Sequence, residues 1–312
     1  MKYELPFEET GYLPKVVATL SGLDEQKSGH EKLQLNHPLD VFYFSFTDVI
    51  KSVSRLASRL EKDTKKRKNN SQFKPDDIEE YSVDIFNTIF YLSNFIEACQ
   101  SIIKCVCHDD SKLKTKAARE FNESTKEYRS HISTIINEIK HKHRRVNAFS
   151  YAWDNNLIIG YYIEGVASKG ILGPDPLIHK NFNGVKTGFS LNRYIPYYII
   201  NLYHVSSCLD PVLKKYGNLA GSDFEPRENR EIVDCIEAVS RLPMLLFSDE
   251  FKLKIPAVSA KSNERFLLEF PGKRKIENKK LHVADLSLGA RIGMHSRGIT
   301  FPYFTGQKIA NE

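Results

Sequence analysis

The sequence predicts an α+β protein: an N-terminal antiparallel helical bundle followed by a mixed region of helices and antiparallel β-strands. Three observations carry that reading. Apolar residues recur at three-to-four spacing from Phe42 to Leu60, from Ile78 to Val106 and from about Lys112 to Val146, which is the signature of amphipathic helices. Between Phe149 and Val166 two aromatic and β-branched runs flank Asp154-Asn155-Asn156, a hairpin signal. Beyond Phe251 short strand candidates alternate with turn residues. The expected organisation is an irregular leader over 1–38, a helical bundle over 39–147 and an α+β region over 148–312.

The elements follow in order. Pro6, Gly11, Pro14, Gly22, Gly29 and Pro38 punctuate the leader, leaving room for a short strand or a turn of helix near Lys15 to Leu20. Asp40 can cap a first helix, which is expected to run out into a basic, Asn-rich loop between Lys62 and Pro75. Asp76 or Asp77 starts a second helix with acidic residues in its first turn, as the helix dipole prefers. Phe86, Phe90, Phe95 and Ile102 make that helix apolar on more than one side, which suits a central position or an oligomer interface. His108-Asp109-Asp110-Ser111 turns the chain into a third, long helix ending near Val146. Residues 167–188 read as a long loop without a phosphate-binding glycine fingerprint. Ser190 or Asn192 caps a fourth helix that ends at Gly217, and a fifth spans Glu228 to Phe247 and meets Pro243. Strands are expected over 251–258, 265–270, 280–294 and 299–304, with Lys273-Arg274-Lys275 at a hairpin tip.

Composition narrows the class. The chain has 312 residues, 41% hydrophobic and 27% charged, too apolar for disorder. Its net charge of +6 and pI near 8.8 give a mild basic bias. The basic residues cluster at Lys62–Lys74, Lys140–Arg145 and Lys273–Lys280, a pattern compatible with a polyanionic partner. Five cysteines and no export signal point to reduced thiols and a cytoplasmic setting. Cys105-Val106-Cys107-His108 lacks the second pair that a structural zinc needs, so neither metal nor cofactor is expected. No run of 18 apolar residues occurs, so no membrane partner is expected either.

The compact polar cluster lies between Glu120 and Asn147. At about 100° per residue, Arg129, Ser133, Asn137, Lys140, His141 and Arg144 share one flank of the third helix. Phe121, Tyr128, Ile132, Ile135, Ile136, Ile139, His143 and Val146 form its apolar stripe, which makes His143 a packed core histidine. Asn137 and His141 lie one turn apart, and Lys140 and Arg144 repeat the spacing beside them. Such a flank suits a phosphate-bearing ligand, with Arg144 and Arg129 binding phosphate. An imidazole, titrating unperturbed at about pH 6.5, can take or give a proton. The competing reading is a solvated basic end that complements the helix dipole.

Asn137-Glu138-Ile139-Lys140-His141 resembles the N-x-x-K-H signature found in some branches of the HEPN superfamily. The resemblance covers residues 39–147, plus the helix from Ser190 if that closes a four-helix bundle. It implies a metal-independent ribonuclease of a bacterial defence or toxin system, acting as a homodimer on RNA. In that reading His141 is general acid or base, Asn137 orients the imidazole or a phosphate oxygen, and Lys140 with Arg144 offsets charge on the phosphorane. The arginine that precedes the histidine in the better-known catalytic pattern of that superfamily is not present here. The alternative is a non-catalytic module that binds nucleic acid or protein through its basic surfaces. A third reading, a small-molecule enzyme with 167–188 as a lid, has no motif behind it.

Overall fold

The computed structural model describes residues 1–6, 11–24, 28–221, 229–261, 265–277, 285–290 and 294–304. Helices precede the main β region, and the chain is α+β with antiparallel and mixed sheets. The first strand, β1 (Lys2–Pro6), lies within the expected irregular leader. It pairs antiparallel with a strand near the other end of the chain, and the Met1 ammonium donates to the Phe270 carbonyl at 2.7 Å. A short helix, α1 (Val16–Ser21), follows.

The bundle opens with α2 (Pro38–Asn69). Pro38 occupies the first turn, where its missing N–H costs nothing, and the His37 ring, not Asp40, accepts from the Leu39 amide. The expected 3.6-residue stripe from Phe42 to Leu60 is fully buried. The basic run does not leave the helix at Lys62; it stays helical to Asn69. The reason is Arg67. Its side chain is 2% exposed, its Nε donates to the Asp154 carbonyl at 2.7 Å and its Nη1 to the Phe73 carbonyl at 2.9 Å. The last turn of α2 is thereby tied to the tip of the β-hairpin.

α3 (Ile78–Val106) begins as expected, with the Asp77 carboxylate accepting from the Glu80 amide. Its core face carries Tyr81, Ile85, Ile89, Leu92, Ile96 and Ile103, packed against α2 and the hairpin. The third predicted helix is two. α4 (Ser111–Ser124) stops at Thr125, and α5 (Lys126–Lys142) restarts from it. Asn122, Ser124 and Thr125 are weak helix formers whose side chains compete for backbone groups. The Ser124 hydroxyl donates to the Glu120 carbonyl and the Thr125 hydroxyl to the Phe121 carbonyl, at 2.9 and 2.8 Å. At the far end α5 stops at His143, in the left-handed region at φ 53°. The amides of His143 and Arg144 both reach back to the Glu138 carbonyl, a tight C-terminal wrap. That geometry turns His143 out to solvent, and it is not a core residue.

β2 (Val146–Trp153) and β3 (Asn156–Ser168) form the predicted hairpin around Asp154-Asn155. Its alternation buries both faces. Ala148, Ala152, Ile159, Tyr161 and Ile163 join the core beneath the helices. Phe149, Tyr151, Trp153, Ile158 and Tyr162 form a second cluster with Leu245 and Phe247. The 167–188 stretch is not structureless: β4 (Ile171–Pro174) extends the sheet, and β5 (Asn181–Phe182) pairs with β6 (Val185–Lys186). β7 (Phe189–Ser190) pairs with β3 and leads into α6 (Leu191–Gly217), which is buried almost throughout its first five turns. α7 (Arg230–Arg241) is shorter than expected because Leu242 turns extended ahead of Pro243. Glu228 lies outside the described residues.

Strands β8 (Ala257–Lys261) and β9 (Arg265–Glu269) pair with each other, and β9 carries β1. The predicted strand over 251–258 starts only at Ala257, after a turn of 3₁₀ helix at Glu250–Lys252. β10 (Asp285–Leu288) lies on β2, and β11 (Gly298–Ile299) runs parallel to β4. These two replace longer expected strands; residues 278–284 and 291–293 of that stretch lie outside the described residues. Arg274 is no hairpin tip: its guanidinium donates to the Ser240 and Leu242 carbonyls at the end of α7. One hydrophobic core draws on the leader, the bundle and the later region together, from Leu5 to Phe270.

Arg67→Ala removes two hydrogen bonds made by a buried guanidinium and should cost about 3 kcal/mol, read from the urea unfolding midpoint. Lys68→Ala, on the exposed side of the same turn, should stay within about 0.5 kcal/mol. Equal effects at the two positions would refute the assigned role of Arg67.

Candidate functional site

α3 and α5 run antiparallel, and their shared outer face holds the site. At one end Lys104 of α3 and Arg129 of α5 line the same cleft. At the other the Lys140 ammonium sits 5.4 Å from the centre of the Phe90 ring, and Ile139 and Phe86 border a second cleft. α5 advances about 18 Å between Arg129 and His141 at 1.5 Å per residue.

The first cleft has a volume of about 690 Å³ and is built mainly from one face of α4. Thr115, Ala118, Arg119, Asn122 and Glu123 recur there at helical spacing, while Ala117 and Phe121 on the opposite face are buried. Lys114, Lys104, His108 and Arg129 complete it with Leu33. Four cationic side chains therefore meet one carboxylate, Glu123, which is itself 3.8 Å from Lys126. Among the described residues none of Lys104, Lys114, Arg119 and Arg129 has an ion-pair partner, and the Nε of Arg129 is buried without a hydrogen bond. His108 is occupied: it lies 2.8 Å from Asp109 and 3.0 Å from the Cys105 carbonyl.

The other sequence candidates are distributed as follows. Asn137, Lys140 and His141 are exposed on the last turns of α5. Asn137 and His141 have no hydrogen-bond partner among the described residues. Lys140 abuts the Phe86–Phe90 pair, whose rings stack at 6.3 Å and stand more than a third exposed. Arg144 lies beyond the end of α5 and off the flank where a continuous helix would have put it. Its Nε is 3.4 Å from Asp175 and 3.9 Å from Glu138, both buried carboxylates. Lys142 also binds Glu138, at 2.8 Å. Of the two arginines expected to bind phosphate, Arg129 faces the cleft without a counter-ion and Arg144 neutralises the protein's own acids.

Lys104, Lys114 and Arg119 were not among the candidate residues. Their signal is weak in one dimension, because they are scattered over two helices and form no run; the turn at Asp109-Asp110 brings them together. The second cleft, about 580 Å³, mixes signs: Asp77, Glu79 and Glu80 oppose Arg144 and Arg145 across Val83, Phe86 and Ile139. It lacks the single-sign field of the first.

A further polar group lies inside the fold. His131 of α5, the histidine that is packed in place of His143, contacts Phe189, Tyr194 and Tyr197. Burial pushes its pKa down to about 4, helped by the nearby Arg193. His179 packs 4.6 Å from Phe189, and burial lowers it to about 3. Glu250 accepts from the Ser190 and Phe247 amides at 3.1 and 3.0 Å, and burial raises it to about 7. Arg193 donates to the Lys254 carbonyl and lies over the Tyr194 and Tyr197 rings. These groups tie α5, β7 and α6 together beneath the outer face.

Among the described residues no group of three or more His, Cys, Asp or Glu is arranged to hold a metal ion, and no helix is long and apolar enough to cross a membrane. Comparison with protein-family models, with curated proteins and with solved structures gives no match.

The interior group sets a pH dependence. Unfolding returns both imidazoles to an ordinary pKa of 6.5, so they bind protons that the folded chain excludes, and stability falls as pH drops below 6.5 toward 4. Glu250 acts in the opposite sense: its contribution is present below 4.5 and is lost as pH rises through about 7. Two imidazoles outweigh one carboxyl, so from pH 6.5 down to 4.5 these groups together remove about 1 kcal/mol per pH unit on average. Urea unfolding at pH 6.5 and 5 measures the slope. In His131→Phe the contribution of this group should fall to near zero; an unchanged slope would refute the assignment.

Proposed function

We propose that this protein binds a single strand of nucleic acid along the outer face of α3 and α5. The cleft of four cations, which have no ion-pair partner among the described residues, carries the reading. Lys104, Lys114, Arg119 and Arg129 sit where phosphates can release their condensed ions and take up charge-assisted hydrogen bonds. Two further features support it. Phe86 and Phe90 stand more than a third exposed beside Lys140, and exposed aromatic rings next to cations can hold bases by stacking. The same face also carries polar Asn137 and His141, which are unengaged by the fold. Glu97, exposed on α3 between Phe90 and Lys104, is an opposing charge.

A second reading adds chemistry to this binding. His141 is exposed and unpartnered at the end of the face, one turn from Asn137 and next to Lys140. A strand lying there would place phosphates within its reach, and the N-x-x-K-H resemblance favours a HEPN-like, metal-independent ribonuclease with His141 as general acid or base. In-line displacement at phosphorus needs a second proton carrier, and no other acid or base lies in hydrogen-bond reach of His141 among the described residues. The catalytic reading therefore calls for a second copy of the chain across this face, and the binding reading does not.

The test is retention of fluorescent single-stranded RNA, in chelator, at several salt concentrations. With four phosphate contacts the log–log salt slope should be about −3. Arg129→Ala should weaken binding several-fold and reduce that slope by about one; a slope near zero, or no effect of the substitution, would refute binding at the cleft. Cleavage products that vanish in His141→Ala would establish the catalytic reading, and RNA recovered intact would leave binding alone.

A further inference from the structure

The charge density of the cleft says which part of a strand it takes. A phosphodiester inside a strand carries one charge, and successive ones are spread along the backbone. The cleft gathers four cations against a single carboxylate within about 690 Å³. That volume lies in the range of sites for a small ligand, about 300–1,000 Å³, and has room for one terminal nucleotide. A phosphomonoester carries about −1.5 to −2 at neutral pH and presents three oxygens to donors from several directions. Here the donors come from several directions: Lys104 from the end of α3, Lys114 and Arg119 from α4, and Arg129 from the first turn of α5. His108 and Asn122 add polar edges, and Leu33, Ala118 and the Thr115 methyl supply apolar wall. An arrangement for passing phosphodiesters would lay its cations in a line along the face. Away from the cleft the face offers the α5 flank only Lys140, and that ammonium lies against Phe90.

We infer that the cleft is an end-binding site, which captures the terminal phosphate of a nucleic-acid strand and directs the rest of the strand toward Phe90 and His141. This rests on the nucleic-acid reading above and narrows it. Both a 5′ and a 3′ phosphate present this chemistry, so the test includes both.

The experiment is fluorescence anisotropy with one RNA 12-mer in four forms: 5′-triphosphate, 5′-monophosphate, 3′-phosphate, and hydroxyl at both ends. A label on the opposite end from the phosphate leaves the terminus free. At least one phosphate-terminated form should bind at least tenfold more tightly than the hydroxyl form, and the form that does so identifies the end. In the Lys114→Ala/Arg119→Ala double variant that ratio should collapse to near one. Both positions lie at the surface of α4, and circular dichroism checks that the helix content is kept. Four forms that bind equally, with an ordinary salt slope, would overturn end capture and leave the nucleic-acid reading standing. A ratio that survives the double variant would overturn the assignment to this cleft. Failure of all four forms to bind would overturn both.

Discussion

Everything on the outer face depends on how α3 is held. Its stripe from Tyr81 to Ile103 is sealed against α2, α6 and the hairpin, and burying side chains of that size contributes about 1.5–3 kcal/mol each. With one side so committed, the helix has no rotational freedom left. Phe86, Phe90 and Lys104 must then look outward. The turn at Asp109-Asp110 folds α4 back, and the break at Thr125 redirects α5, so that Arg129 approaches Lys104 and Lys140 approaches Phe90. The geometry of the candidate site is thus a consequence of core packing on the reverse of the same helix.

The molecule handles its charges in two opposite ways. Inside, His131 and His179 are held neutral by desolvation, and Arg193 is shielded by tyrosine faces and a carbonyl. Arg144 is spent on Glu138 and Asp175. On the surface of α4 and at the start of α5, cations have no counter-ion among the described residues. Close, uncompensated like charges destabilise the chain that carries them, so their retention in one concavity sets this cleft apart from the mixed-sign cleft at the other end of the face.

Much of this arrangement was legible from residue order, and the failures have identifiable causes. The stripes of α2 and α3 and the hairpin turn at Asp154-Asn155 are local patterns, and local patterns survive tertiary packing. The break at Thr125 was hidden because Phe121, Tyr128 and Ile132 keep helical phase across it: seven residues make nearly two turns, with or without an interruption. The basic run from Lys62 to Asn69 resembled a solvated loop because composition cannot reveal that one of its cations, Arg67, is buried and has two carbonyl partners 6 and 87 residues away. His143 left its expected core position for a related reason, since a C-terminal wrap at φ 53° rotates a side chain out of any helical projection. The cleft itself is assembled from three helices; all of its lining but Leu33 lies within residues 104–129, yet only the turn at Asp109-Asp110 and the break at Thr125 make those residues converge.

The pairing of β1 with β9 has a consequence for biosynthesis. β1 cannot find its neighbour until β9, about 260 residues later in the chain, has left the ribosome, a wait on the order of 15–50 s at roughly 5–20 residues per second. The helices from α2 to α5 can associate during that interval, since their contacts are comparatively near in sequence. β1 meanwhile waits as an unpaired edge, and the three-stranded sheet closes on helices that have already assembled.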